Sequence, residues 1–181
     1  MTKRYLPVNI DDLAEARTSA SDDVGYFLDL QTGLVLFVTA DIRGELEMTY
    51  QELGHEPSAG EEALAAALEQ SKHPEWLREE LTQAYRIEQG SGSRYIAIPG
   101  DDSRQSYRDM EEFVETVASP QIRAQLADAL EGRKVFRRFK DALLAYPAER
   151  ERWFAFSAAR ARERALDWLA AQDIEVVKEL G

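Results

Sequence analysis

Two different periodicities divide the chain. Between Val24 and Thr39, apolar β-prone residues come in two short runs, Val24 to Leu30 and Leu34 to Thr39. Gln31-Thr32-Gly33 separates them, and Gly33 can supply the positive φ of a three-residue hairpin loop. From Ser103 onwards apolar positions recur at three- and four-residue intervals, which predicts helices over 103–117, 120–130, 133–146 and 148–172. Ser119-Pro120 and Pro147 mark starts and Gly132 a stop. Upstream, Asn9 followed by Asp11 and Asp12 is a capping oxygen with first-turn acids, so a short helix opens there. Residues 61–70 and 74–89 are also helical, the second with Pro74 in its first turn. The weak alternation of Leu46, Met48 and Tyr50 predicts a third strand inside residues 40–59, then a loop through Gly54, Pro57 and Gly60. After the flexible joint Gly90-Ser91-Gly92-Ser93, residues 94–98 alternate as a short strand, and 174–177 end the chain as an edge strand or extended tail. Strands followed by a run of helices make the class α+β: a small antiparallel sheet, a hairpin plus one or two strands, packed against a mostly helical C-terminal half. The expected organisation is a single domain over 1–181, mixed and acidic in 1–100, helical and locally basic in 101–181.

Composition fits a packed protein and narrows its setting. Of 181 residues, 44% are hydrophobic, enough for a real core. Cysteine is absent, which removes disulfides, thiolate nucleophiles and Cys-ligated zinc. Two N-terminal cations have no long apolar run behind them, and the longest apolar stretch, Leu34 to Val38, is far below the roughly 20 residues of a spanning helix. The expectation is a cytoplasmic protein with no signal peptide and no membrane span.

Charge changes the picture more. The net charge is −12, yet residues 1–90 hold 18 acids against 7 bases while residues 91–181 hold 16 against 15. Within 132–164 ten bases face four acids, a local +6. Taken whole, −12 argues against non-specific binding to nucleic acid or anionic lipid; locally, the sign is reversed.

Familiar catalytic arrangements are missing. His55 and His73 are the only histidines, without HxxxH spacing or a helix-borne acidic partner, so no metal and no cofactor are expected. Gly90-Ser91-Gly92-Ser93 lacks the lysine of a phosphate-cradling loop and reads as a linker. Asp101-Asp102 before Ser103 suits helix capping better than catalysis. With Asp29 near another strand end, these two carboxylates are nevertheless the acids of an alternative, a carboxylate-based hydrolase. Asp109, Glu112 and Glu115 read as the wet face of a helix lying on Tyr107, Met110, Phe113, Val114 and Val117.

The basic segment is the better candidate. In 132–146 an apolar stripe of Val135, Phe136, Phe139, Ala142, Leu143 and Tyr146 leaves Arg133, Lys134, Arg137, Arg138 and Asp141 on the other side. In the next helix Trp153, Phe154 and Phe156 lead the apolar series, while Arg160, Arg162 and Arg164 project elsewhere. Arg160 with Glu163 and Arg164 with Asp167 stand at i,i+3. Two readings compete. The arginines pair with the acids of the N-terminal half; or guanidiniums at Arg137 and Arg138 meet an anionic partner, nucleic acid or an acidic protein, with any exposed aromatic stacking.

The motifs LDxxTG (28–33), YxxMxxF (107–113), FRRFKD (136–141) and RWF.F (152–156), in this order and with Ala165 to Leu169, resemble those of a bacterial uncharacterised protein family, number one hundred and fifty-eight of the UPF series. The similarity spans most of the chain and is weakest over 40–90. It implies a family and no reaction, cofactor or catalytic residue. The expected function is a non-enzymatic binding or regulatory module using Arg133, Lys134, Arg137, Arg138 and Arg160 on an anionic partner. An acid-rich half that mimics nucleic acid is a further alternative.

Overall fold

The computed structural model describes residues 3–53 and 60–177. In chain order the elements are β1 (Arg4–Leu6), α1 (Ile10–Ser19), β2 (Val24–Asp29), β3 (Val35–Thr39), α2 (Ala40–Leu53), α3 (Glu61–Gln70), α4 (Glu75–Gln89), β4 (Tyr95–Ile98), α5 (Ser103–Glu115), α6 (Pro120–Ala129), α7 (Val135–Leu143), α8 (Pro147–Ala171) and β5 (Ile174–Val176). The class is α+β, with a helical C-terminal half. The chain divides into two compact units, residues 1–100 with 169–181, and residues 101–168. The division at Gly100 falls where the sequence turns from mixed and acidic to helical.

In the first unit a three-stranded sheet has the order β3-β2-β4, with both pairings antiparallel. The β2–β3 hairpin closes as its sequence requires. Asp29 Oδ1 accepts from the Gln31 amide at 2.9 Å, the Gly33 amide donates to the Asp29 carbonyl at 2.8 Å, and Gly33 takes φ 77°. A Cβ on Gly33 would lie 3.1 Å from the Pro7 carbonyl, so both the conformation and the space call for glycine. Gly90 faces a similar limit, because a Cβ there would stand 2.7 Å from the Tyr95 ring. Asn9 caps α1 through the amides of Asp11 and Asp12. The C-terminal strand β5 pairs in parallel with β1, a three-residue strand too short to leave a signal in the sequence.

The strand predicted from Leu46, Met48 and Tyr50 is part of helix α2. Ile42, Leu46 and Thr49 are buried at helical spacing and Met48 is 54% exposed, while the Thr39 hydroxyl accepts from the Ile42 amide at the helix start. Alternation and helical spacing share Leu46, and the tertiary contacts of Ile42 and Thr49 decide between them. Pro74, placed at the first helical position of α4, is instead its cap, with its carbonyl accepting from Leu77 and Arg78. The core of this unit joins Val38, Ile42, Leu46, Leu64, Leu68, Leu81 and Tyr85.

The second unit is helical. Met110, Phe113, Val114, Val117, Leu126, Leu130, Phe139 and Leu143 form its core. Phe113, Phe139 and Trp153 meet edge to face with centroids 5.1–6.4 Å apart, the arrangement the ring quadrupole favours. Ser119 caps α6, accepting from the Ile122 amide. Among the described residues, no helix is long and apolar enough to cross a membrane.

Candidate anion-facing surface

The path into α7 decides what its cations can do. Gly132 has φ 81° and Lys134 φ 58°, so the chain turns twice through the left-handed region before Val135 begins the helix. Arg133 and Lys134, expected on the helix face, therefore sit on the loop that enters it. Phe139 and Leu143 are the fully buried positions of α7, with Val135, Ala142 and Tyr146 partly covered beside them. This leaves an outer face of Phe136, Arg137, Lys140, Asp141 and the cap residue Leu144.

Phe136, which the apolar stripe had assigned to the core, is 41% exposed. It stands one residue from Arg137 and one helical turn from Lys140, with Arg133 and Lys134 on the loop just before it. Arg137 has an 80% exposed side chain, and its ion pair is a long one, Nε to Asp141 Oδ2 at 3.8 Å. Such exposed pairs contribute at most a few tenths of a kcal/mol. Among the described residues, no hydrogen bond or ion pair engages the side chains of Arg133, Lys134 or Lys140.

The remaining cations of the segment have partners. Arg138 turns away from the outer face: its guanidinium donates to the Asp128 carbonyl at 2.9 Å and to the Glu131 carbonyl, closing the end of α6. Arg160 is bound to Glu112 and, at 3.1 Å, to Glu163, and lies over the Phe156 ring. Arg152 pairs with Glu149 and donates to the Thr116 hydroxyl at 3.0 Å. Arg164 binds two carboxylates, Asp101 through Nε at 3.0 Å and Asp109 through Nη1 at 2.7 Å. That geometry displaces the expected Arg164–Asp167 pair. It also corrects Asp109, which is 4% exposed and not on the wet face.

Arg137, Arg152, Arg160 and Arg164 thus pair with acids of their own helical unit, where one reading expected acids of the N-terminal half. Residues 101–168 hold thirteen acidic and thirteen basic residues, so the whole net charge of −12 resides in the other unit. Within a neutral unit in which Arg138, Arg152, Arg160 and Arg164 are engaged, the loop and outer face of α7 keep four cations close together in the chain.

Of the aromatics, Trp153 and Phe156 are packed on the core. Phe154 is 53% exposed, with the Arg150 guanidinium over its ring at 5.3 Å. The site members that sequence reasoning left aside are thus Phe136 and Lys140. The sequence carried no signal for Phe136, which stands three residues before Phe139 and seven before Leu143, the spacing of a core position.

The acids of the hydrolase alternative each have a structural role. Asp29 holds the hairpin turn and is bound to Arg94 at 2.8 Å; Asp101 is bound to Arg164; Asp102 caps α5 through the Arg104 amide at 2.9 Å. Burial opposes the charge of Asp29, but donation from Arg94, the Gln31 amide and the Thr32 hydroxyl outweighs it and holds the carboxyl below its usual range. His73 Nε2 lies 3.4 Å from Glu45, and His55 falls outside the described residues.

Residues 74–180 match the model of a family described as Uncharacterised protein family (UPF0158). The chain belongs to this family. A UPF0158 protein from Pseudomonas aeruginosa is 31% identical over 172 residues, covering 95% of this chain and 87% of that protein. No solved structure matches. The family match covers all of α5 to α8, so the loop and outer face of α7 lie within it.

Proposed function

We propose that this UPF0158 member is a binding module that engages an anionic partner through Arg133, Lys134, Arg137 and Lys140. Single-stranded nucleic acid is the favoured partner class. The observation that carries the reading is the exposed Phe136 ring set among four cations that lack close internal partners. Cations tracking a phosphate chain beside a ring that stacks a base is how sequence-tolerant single-strand sites are built. The overall −12 does not decide a local encounter, because charges beyond about 10 Å are screened at 0.1 M salt. Arg138 and Arg160 are already bound, the first to the Asp128 and Glu131 carbonyls and the second to Glu112 and Glu163, and do not lead the contact.

The test is a fluorescence-anisotropy titration with a labelled single-stranded oligonucleotide, its duplex and polyglutamate. Four phosphate contacts on a single strand give a log–log salt slope of about −3, so affinity should fall about fiftyfold between 50 and 200 mM salt. Arg137→Glu with Lys140→Glu should abolish binding. No binding at 50 mM salt, or binding indifferent to that double charge reversal, sinks the reading. Tighter binding to polyglutamate than to the oligonucleotide moves the partner class to acidic proteins.

A further inference from the structure

The acidic unit contains a cleft that the proposed function does not use. It has a volume of about 570 Å³ and opens among β2, β3, α2 and α4. Its walls are mainly apolar: Phe27, Val38, Leu46, Tyr50, Ala84 and Ile87. Val38, Leu46, Ala84 and Ile87 are buried core residues, so the walls are set by the packing of the unit. That volume and a mainly apolar lining with a few polar groups are what a small-molecule pocket presents.

The polar groups at the mouth set the sign of the ligand. Arg43 is already used, donating to the Val38 carbonyl at 3.3 Å and to the Asp22 carbonyl at 3.1 Å, which fixes its guanidinium on the backbone of the hairpin. Glu88 lies on the rim and accepts from the Tyr50 hydroxyl at 3.2 Å. Burial, with Glu88 beside it, pushes the Tyr50 hydroxyl above the ordinary tyrosine range, which keeps the phenol a neutral donor that positions this carboxylate. Glu47, also lining the cleft, is exposed and has no ion pair among the described residues. The uncommitted charge at the mouth is negative, and the unit around it carries the whole negative excess of the chain.

We infer that this cleft binds an amphipathic organic cation, with an aryl or alkyl body against Phe27, Leu46 and Ile87 and an ammonium group held between Glu47 and Glu88. The apolar walls supply affinity by burial, and the two rim carboxylates select the charge. The Phe27 and Tyr50 rings add faces on which a cation is favoured over a neutral group. An anionic ligand would meet two carboxylates and one guanidinium already hydrogen-bonded elsewhere.

The experiment uses the full chain and three probes of one shape: 2-(1-naphthyl)ethylammonium, the uncharged 2-(1-naphthyl)ethanol and the anionic 3-(1-naphthyl)propionate. Affinities come from calorimetric titration, and the site from backbone amide shifts. The ammonium should bind about tenfold tighter than the alcohol, with the carboxylate weakest and the largest shifts at Phe27, Leu46, Tyr50 and Ile87. Glu47→Gln with Glu88→Gln, both surface changes, should bring the ammonium down to the affinity of the alcohol and leave the alcohol unmoved. Equal binding of ammonium and alcohol to the unaltered chain overturns the inference. So does preference for the carboxylate, shifts centred elsewhere, or no binding of any probe at millimolar concentration. These outcomes are independent of oligonucleotide binding.

Discussion

Arg138 of α7 donates to the carbonyl of Asp128, ten residues back at the end of α6, at 2.9 Å. The last carbonyls of a helix have no intrahelical donor, and a guanidinium there satisfies them and complements the negative end of the helix dipole. Its neighbour Arg137 reaches only an exposed carboxylate on its own helix. Two adjacent arginines of one motif therefore do different work. Arg138→Ala should destabilise the protein by about 1–2 kcal/mol, and Arg137→Ala by less than about 0.5 kcal/mol. Urea unfolding of the two variants checks this, and equal losses would contradict the division.

The Asp29–Arg94 pair makes a pH prediction. The folded carboxyl titrates below its unfolded value, so folding favours the charged form. The stabilisation is complete above about pH 4, the unfolded value, and is lost as pH falls through the folded one. At pH 7 Asp29→Asn should cost about 1–2 kcal/mol. Below pH 4 the difference between the two proteins should narrow towards zero. Urea midpoints from pH 2 to 7 read it directly, and the difference between the proteins cancels contributions from other carboxylates.

How far the sequence could be read follows from how local each signal is. Asn9, Gly33, Ser119-Pro120 and the apolar spacing of α5 act over a few residues, and the elements they announce are present. Helix α2 was hidden because Leu46 fits both periods and the residues that settle the matter, Ile42 and Thr49, need the packed unit to explain their burial. Asp109 looks like one more acid on a wet face, since the arginine that neutralises it lies 55 residues further along the chain. The role of Arg138 has no side-chain partner to be read at all, because its acceptors are backbone carbonyls. The same holds for the cleft of the acidic unit, whose walls come from four separate elements. The charge reversal at 132–164 was legible, but not which of its cations are engaged.

Arg164 should behave as the centre of a small buried network. Its side chain and those of Asp101 and Asp109 are 18%, 7% and 6% exposed. Arg164→Met leaves two carboxylates nearly out of water without their cation, and should cost about 3 kcal/mol. Asp109→Asn removes one charge and keeps an acceptor, with a smaller loss of about 1–2 kcal/mol. Because the groups share one interaction, the double variant should lose less than the sum of the two, by at least about 1 kcal/mol. A double-mutant cycle that adds up would show the contact to contribute little.

Phe136 and Phe139 are the sharpest contrast in the α7 motif. Phe139 is fully buried and meets Phe113 and Trp153 edge to face, at centroid distances of 6.4 and 5.1 Å. Phe139→Ala should therefore cost about 3–5 kcal/mol through lost burial and the cavity left behind. Phe136 lies mostly clear of that core, and Phe136→Ala should cost less than about 1 kcal/mol. If Phe136 stacks a base, the same change should weaken oligonucleotide binding by about 1–3 kcal/mol, and Phe136→Trp should restore it. Measuring stability and oligonucleotide affinity on both variants separates packing from recognition. A Phe136→Ala protein that binds as well as the parent would remove the stacking role and leave the cations to act on charge alone.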